Sequence, residues 1–317
     1  MELCLFTDSA PKLSFEEALD LAVRIGATTI EIAGGGQSSA PHLRLDELLE
    51  DERRRSEFSD AFARRNLRIA ALNCSAWPLH PVIGADHREI IRKTIRLAGL
   101  LGVDKIVTMS GTTGDGPGAT TIDWVWYPGP EDHVALQERQ WDEAISAWRE
   151  LAAFARDHGV RRVCFELHPQ NLVYNVPTFR RIHDAVGDPL AVNLDPSHFF
   201  WQGIDPIASI RALGGAVGHA HLKDTEIDAE QVALAGVLDD RPFEAGGERA
   251  WQFRTVGAVH DAAWWSSFVA TLQEVGYDDV VSIENEDLTL SEVAGVERSA
   301  EFIRPVLERA GTGAARA

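Results

Sequence analysis

The chain has 317 residues, of which 45% are hydrophobic and 25% are charged, so it has the composition of an ordinary globular protein with a sizeable core. Acidic residues outnumber basic ones by 49 to 30, which gives a formal net charge of −19. This balance argues against a nucleic-acid partner, because phosphate backbones require clustered lysine and arginine. It also disfavours a strongly anionic substrate, although a local basic pocket could still hold a phosphate.

The cysteines and the N-terminus indicate a cellular compartment. Cys4, Cys74 and Cys164 have no CxxC spacing and fall inside apolar, strand-like runs, which predicts buried free thiols and a reducing environment. The N-terminus has no basic region, and no apolar run is long enough to span a bilayer. We therefore expect a cytoplasmic protein with neither a signal peptide nor a membrane segment.

Strand and helix patterns alternate along the whole chain. Ser14 and Glu17 form a capping box at the start of the first helix, and Gly26 ends that helix. The predicted strands are 3–7, 28–32, 68–73, 105–109, 162–167, 190–194, 217–222 and 279–283. The predicted helices are 15–25, 46–65, 87–101, 141–158, 178–186, 206–213, 265–275 and 291–310.

Two long segments interrupt this alternation, one after strand four and one after strand seven. Residues 110–138 and 225–263 are both rich in glycine and proline, which predicts irregular loops. The first loop carries Trp124, Trp126 and Tyr127, and such an aromatic cluster favours a structured lid over a disordered segment.

Eight alternating βα units predict a (β/α)₈ TIM barrel of the α/β class, a single domain over residues 1–310, followed by a flexible tail at 311–317. The alternative is an open, doubly wound sheet. That fold normally has a phosphate-binding glycine turn after the first strand, whereas residues 7–11 here read Thr-Asp-Ser-Ala-Pro.

Metal-binding side chains follow the last four predicted strands. Because the carboxyl ends of barrel strands meet at one rim, Glu166, Asp195, His221 and Glu284 are expected to lie together. Any one of them alone is more often a turn former or a surface charge, but four successive strand ends favour a metal site. Three carboxylates and one imidazole suit a divalent ion, with Mn²⁺ as the first choice and Mg²⁺, Co²⁺ or Zn²⁺ as the others.

These motifs resemble the xylose isomerase-like barrels, which include sugar isomerases and epimerases, inosose dehydratase and endonuclease IV. The most specific parts are the Asp-x-x-His of 195–198, the His-x-Lys-Asp of 221–224 and the Glu of Ser-Ile-Glu at 282–284. The resemblance implies that the same four residues are the metal ligands, that His198 lies near metal and substrate, and that Arg254 contacts substrate. Endonuclease IV needs extra histidine and carboxylate ligands and a basic DNA-binding face. This chain has four obvious ligands and a net charge of −19, which disfavours a nuclease.

The chemistry of such a site is proton abstraction next to a sugar carbonyl, which a chelated divalent ion makes more acidic. In the family's epimerases two metal-bound glutamates, matching Glu166 and Glu284, work from opposite faces. His168, two residues after Glu166, is either a general base or a residue that orients Glu166.

The reaction could end in three ways. Return of the proton gives an isomerase or epimerase of an unphosphorylated sugar or keto-sugar, whereas elimination gives a lyase. The resemblance extends to C-glycoside deglycosidase catalytic subunits, which cleave 3-keto-glycosides. A third possibility is a non-catalytic binding or scaffold barrel.

A bulky neutral carbohydrate or glycoside is the expected substrate, because no lysine or arginine cluster marks the predicted rim. Lys223 belongs to the His-x-Lys-Asp motif and is a predicted substrate contact. The tryptophans in loops after strands could form an apolar platform, or they could pack loops or an interface between subunits. These tryptophans are Trp77, Trp124, Trp126, Trp201 and Trp251. We expect a homo-oligomer, with a small second subunit as a further possibility.

Overall fold

The structure, a computed structural model, describes the backbone of residues 1–127 and 129–314. Eight strands form a closed barrel in the order β1-β10-β7-β6-β5-β4-β3-β2, and β1–β10, β10–β7, β3–β4, β4–β5 and β5–β6 are parallel pairs. The barrel strands are β1 (Glu2–Phe6), β2 (Thr29–Ala33), β3 (Arg68–Cys74), β4 (Lys105–Thr108), β5 (Arg162–Glu166), β6 (Leu190–Leu194), β7 (Val217–Leu222) and β10 (Val280–Ile283). The predicted TIM barrel is therefore confirmed.

Helices follow the strands in the predicted alternation. They are α1 (Phe15–Arg24), α2 (Leu45–Glu50), α3 (Glu52–Ala63), α4 (Gly84–Leu101), α5 (Glu131–Asp157), α6 (Val176–Val186), α7 (Pro196–Phe200), α8 (Pro206–Leu213), α9 (Ala229–Ala235), α10 (Ala262–Glu274) and α11 (Glu292–Ala314). The predicted capping box is confirmed at α1, where the Ser14 hydroxyl accepts from Glu17 N and the Glu17 carboxylate accepts from Ser14 N.

The chain divides into two compact units. The first unit consists of Met1–Ile30, Arg65–Arg68 and Leu194–Ala317, and the second of Glu31–Arg64 and Ile69–Asn193. In the first unit, β10 pairs with both β1 and β7. In the second unit, β3, β4, β5 and β6 pair in that order. The core of the second unit includes Trp148, whose indole N–H donates to the carbonyl of Ser110 at 2.9 Å.

The prediction of a single helix over 46–65 is wrong, because the helix is interrupted at Asp51. The Asp51 backbone is extended, and its carboxylate accepts from the N–H groups of Arg53 and Arg54. An aspartate in this role starts a new helix, because it satisfies N–H groups that have no partner inside the helix.

Both predicted loops contain regular structure. Helix α5 begins at Glu131, ten residues before the predicted start, so the first irregular segment is shorter than the predicted 110–138. The second loop contains α9 and an antiparallel ribbon of β8 (Asp224–Ile227) and β9 (Trp251–Arg254), in which Asp224 pairs with Arg254. The prediction missed β8 and β9 because their pairing joins segments that are distant in the sequence.

The last helix passes the predicted end at Ala310. Helix α11 continues to Ala314, so residues 311–314 are helical. The flexibility of the tail stays a prediction. A glycine in a helix interior costs only about 1 kcal/mol relative to alanine. Gly311 and Gly313 therefore do not end this helix. Residues 315–317 of the predicted tail lie outside the described residues.

Among the described residues, no helix is both long and apolar enough to cross a membrane. The predicted free thiols are confirmed, since all three cysteines are buried and unbridged.

We expect the native protein to resist thiol modification. Burial raises the pKa of the Cys74 thiol to about 11, so little thiolate forms near pH 8, and all three sulfurs are shielded. Titration with DTNB should detect no fast-reacting thiol in the native protein and three equivalents in concentrated guanidinium chloride. A fast equivalent in the native protein would contradict this shielding.

Candidate metal centre

Asp195 is positioned by the junction of β6 and α7. Its Oδ1 accepts the backbone N–H of Ser197 at 2.8 Å and caps α7, which fixes the direction of the carboxylate. Its Oδ2 is buried and has no hydrogen bond, although His198 Nε2 lies 3.2 Å away and Lys223 Nζ 3.1 Å away. These two contacts are close in distance but lack hydrogen-bond geometry. Oδ2 is therefore a buried carboxylate oxygen without a hydrogen bond, which is compatible with a further cationic partner.

His221 on β7 and Glu284 after β10 approach each other. His221 is fully buried, its ring stacks on Phe6 at 5.7 Å, and its Nδ1 lies 3.1 Å from Glu284 Oε2. Two ligand atoms at right angles around an ion, each about 2.1 Å from it, lie about 3 Å apart. The separation of this pair therefore suits two ligands of one ion.

Lys223 connects the carboxylates of this region. Its Nζ lies 2.7 Å from Glu284 Oε2, 2.8 Å from Glu286 Oε2 and 3.1 Å from Asp195 Oδ2, although the lysine is buried. The ammonium also lies 4.6 Å above the ring of Phe253. Lys223 is therefore an internal counter-ion that offsets part of the cost of burying these carboxylates.

The environment of Glu284 favours its ionised form. Burial alone would raise the pKa of this carboxyl, but the positive charges of Lys223 and His221 and their hydrogen bonds lower it below its ordinary value. The stabilisation from this ionised group is present above the unfolded-state pKa of a glutamate. It is lost only as the pH falls through the lowered folded-state pKa.

The predicted ligands form a group that could hold a metal ion. Each offers one ligand atom, and these atoms lie within 4.8 Å of one another. The group consists of Glu166, Asp195, His221 and Glu284. Its three carboxylates and one imidazole, together with the unbonded Oδ2 of Asp195, fit a divalent cation such as Mn²⁺, Mg²⁺, Co²⁺ or Zn²⁺. Their role as ligands stays a prediction.

The structure places His168 differently from the sequence argument. Strand β5 ends at Glu166, and the N–H of His168 donates to the Glu166 carbonyl at 2.9 Å, so the chain turns before His168. Side-chain alternation along a strand therefore does not apply to this pair. His168 Nδ1 lies 2.6 Å from the carbonyl of Pro169, which assigns the proton of the neutral ring to Nδ1 and its lone pair to Nε2.

The predicted substrate contact Arg254 forms an ion pair. Its Nε lies 2.8 Å from Glu226 Oε2 across the β8–β9 ribbon, and its Nη1 lies 3.7 Å from Asp287 Oδ1. His198, the other residue implied by the resemblance, is buried in α7, with its ring edge-on to Phe253 at 5.4 Å. Their contacts with substrate stay predictions.

The tryptophans differ in burial and in their neighbours. Trp201 and Trp251 are buried and stack on each other at 4.5 Å with an angle of 3° between planes, so they pack the ribbon. Trp126 is 57% exposed beside Tyr127. Trp77 is half-buried and its indole N–H is buried without a hydrogen bond, which makes it the better candidate for a substrate donor.

Sequence reasoning assigned no role to three residues around the centre. Glu286 binds Lys223, and its spacing of two from Glu284 was a usable signal. Phe253 packs against Lys223, and Asp224 anchors the residues after β9. The last two contacts depend on the ribbon, which no local pattern predicted.

Comparisons with known proteins agree with this fold. The model of the family described as xylose isomerase-like TIM barrel matches residues 19–306. YfiH of Bacillus subtilis (strain 168), an uncharacterized protein, is 40% identical over 316 residues, which cover 98% of this chain and 100% of that protein. A 3-dehydroshikimate dehydratase of Bacillus anthracis is 25% identical over 226 residues, or 70% of each chain.

Among solved structures, the 3-keto-D-glucoside 4-epimerase YcjR from E. coli has a TM-score of 0.68 and covers 96% of this chain and 99% of its own. Its sequence is only 12% identical, so this likeness shows the fold alone. The family match covers most of the chain, and the relative at 40% identity spans nearly all of it. The chain therefore belongs to the xylose isomerase-like TIM barrel family.

Proposed function

We propose that this protein is a divalent-metal-dependent enzyme that abstracts a proton next to the carbonyl of a sugar or keto-sugar and acts as an isomerase or epimerase. The observation that carries the proposal is the group of three carboxylates and His221, in which Asp195 Oδ2 is buried without a hydrogen bond. The family includes sugar isomerases and epimerases, and YcjR, which shares the fold, is an epimerase of a 3-keto-glucoside.

Glu166, Asp195, His221 and Glu284 would hold the ion, with Mn²⁺ as the first choice. When bound, a divalent ion supplies the polarisation that makes the C–H beside a substrate carbonyl acidic. Asp195 stays oriented by the Ser197 N–H, and His221 by its stacking on Phe6. The chain thus holds these two candidate metal ligands in place before the ion binds, which lowers the conformational-entropy cost of forming the site.

Proton transfer is assigned to Glu166 and Glu284, with His168 as a further base. Lys223 and His221 favour the ionised form of Glu284, which is the form that can accept a proton, although the lowered pKa also makes it a weaker base. His168 holds its lone pair on Nε2, because Nδ1 donates to the Pro169 carbonyl.

A second candidate is a lyase that eliminates the aglycone of a 3-keto-glycoside. The relative at 25% identity is a dehydratase, and dehydration is also an elimination that can follow proton abstraction. Both candidate reactions begin with the same proton abstraction. They differ in whether the resulting electron pair takes back a proton or expels the aglycone.

Incubation of Mn²⁺-loaded protein with aryl 3-keto-glucosides tests the proposal. We expect an epimeric or isomeric keto-sugar and no free phenol. NMR in D₂O monitors the product and the exchange of one carbon-bound proton for deuterium. Release of the phenol would identify the lyase instead. No exchange and no product with any divalent ion would contradict both reactions.

A further inference from the structure

Arg249 is an unusual cation in this chain. Among the described residues it is the only buried arginine, with 3% of its surface exposed. Its Nε donates to the carbonyl of Trp251 at 3.3 Å, and no carboxylate of the described residues pairs with it. A buried cation without an anionic partner costs free energy, so a partner from outside the chain would be stabilising.

The outer edge of this guanidinium makes no hydrogen bond to the described residues and keeps a small exposure. Nη1 and Nη2 make no hydrogen bond to the described residues, yet they are absent from the fully buried unbonded polar atoms of that part of the chain. They are therefore not completely buried, although the side chain as a whole is only 3% exposed. This edge carries two parallel N–H groups, one on each Nη, which match the two oxygens of a carboxylate.

Two aromatic rings fix the plane of the guanidinium. Its Cζ lies 4.3 Å above the ring of Phe243 and 5.0 Å above that of Trp251. The stacking restricts the side chain, so little rotamer entropy is left to lose when an anion binds. Phe243 is itself 41% exposed, which leaves apolar surface beside the cation.

The same rings lead from Arg249 to the candidate metal centre. Phe243 stacks on Phe253 at 5.7 Å, and Phe253 contacts Lys223 Nζ at 4.6 Å. We call Phe243, Trp251 and Phe253 the aromatic strip. The strip runs from Lys223 to Arg249. Lys223 is already paired with carboxylates of the candidate metal centre, whereas Arg249 has no carboxylate partner among the described residues.

We propose that Arg249 binds a carboxylate at the end of the substrate remote from the reacting carbonyl, with the intervening apolar part lying along the aromatic strip. This proposal rests on the proposed function, because it takes the bound molecule to be the substrate of that reaction. A single guanidinium edge suits a carboxylate better than a phosphate, since a phosphate dianion needs further cationic donors. The other cation on the strip, Lys223, is already paired with Asp195, Glu284 and Glu286. The substrate is thus a glycoside with an acidic aglycone rather than the neutral one that the sequence predicts.

Binding of two unreactive glucosides tests this site. 4-Carboxyphenyl β-glucoside and its neutral isostere 4-carbamoylphenyl β-glucoside lack a keto group, so binding to Mn²⁺-loaded protein is measured without turnover. Quenching of tryptophan fluorescence is a direct readout, because Trp251 lies against Arg249. We expect the carboxylate to bind on the order of tenfold or more tightly than the carboxamide, and the difference to shrink with added salt.

Arg249→Met should remove this preference, and Arg249→Lys should retain part of it, because charge remains without the planar fork. Arg211→Met is the matched control, since it removes an exposed arginine that pairs with Glu274 on the surface. Circular dichroism shows whether each variant is folded. Equal affinity of the wild type for the two glucosides, or a preference that survives in folded Arg249→Met, would overturn the proposal. Because no turnover is involved, that failure is distinct from failure of the keto-sugar reaction.

Discussion

Glu284→Gln is expected to reduce kcat/KM by on the order of 10³-fold or more and to weaken Mn²⁺ binding strongly. The substitution keeps the shape of the side chain but replaces an anionic oxygen 3.1 Å from His221 Nδ1 and 2.7 Å from Lys223 Nζ by a neutral group. A 10³-fold loss corresponds to about 4 kcal/mol of transition-state stabilisation, a reasonable sum for losing a ligand and a base together. Metal content after Mn²⁺ loading and dialysis, measured beside activity, separates the two contributions.

Glu286→Gln is the matched control for this prediction. Glu286 also binds Lys223, at 2.8 Å, but its side chain is half exposed and it does not belong to the candidate ligand group. Loss of this partly solvated ion pair should change activity by less than about tenfold, because exposed pairs contribute little. Undiminished metal content and activity in Glu284→Gln would refute the assignment of this residue as a ligand.

The barrel was predictable because its strands are short apolar runs. Strands β6 and β7 and helix α8 have the predicted bounds, and each is an apolar segment between residues that start or stop regular structure. Periodicity and turn residues are local signals, and a barrel built from repeated βα units depends mainly on local signals. The candidate ligands were predictable for the same reason, since each lies at or just after a strand end.

The errors arise where local signals are weak or were not used. The start of α5 is polar, so hydrophobic periodicity did not detect it, although Pro130 before the acidic residues Glu131 and Asp132 is a helix-start signal. The acidic residue Asp51 similarly marked the beginning of α3.

The ribbon could not be predicted from its own segments. Strands β8 and β9 are four residues each and are separated by α9 and irregular chain, so their pairing depends on tertiary contacts. The network around Lys223 has the same origin, since the sequence shows the motif but not the three carboxylates that meet there.

The aspartate of the His-x-Lys-Asp motif has a structural task that its position beside Lys223 did not reveal. Asp224 is fully buried, and its Oδ2 accepts three backbone N–H groups, those of Gly257, Val259 and His260, at 3.0 to 3.2 Å. Its Oδ1 lies 2.6 Å from His260 Nδ1. One carboxylate thus anchors the turn at 257–260, between the ribbon and α10.

Asp224→Ala is therefore expected to destabilise the protein by about 3 to 5 kcal/mol, because it leaves several donors without a partner and removes a charge-assisted bond to His260. Asp224→Asn should cost less, since its carbonyl oxygen can still accept some of these bonds. Urea unfolding followed by circular dichroism measures both changes.

Asp228→Ala is the appropriate control for that measurement. Asp228 lies four residues further along the chain and caps α9 through the N–H groups of Glu230 and Gln231, on the protein surface. Its removal should cost only about 1 kcal/mol, because water can replace an exposed cap. If Asp224→Ala were no more destabilising than this control, the turn at 257–260 would be held mainly by other contacts. The stacking of His260 on Phe200 at 3.9 Å would then be the first to examine.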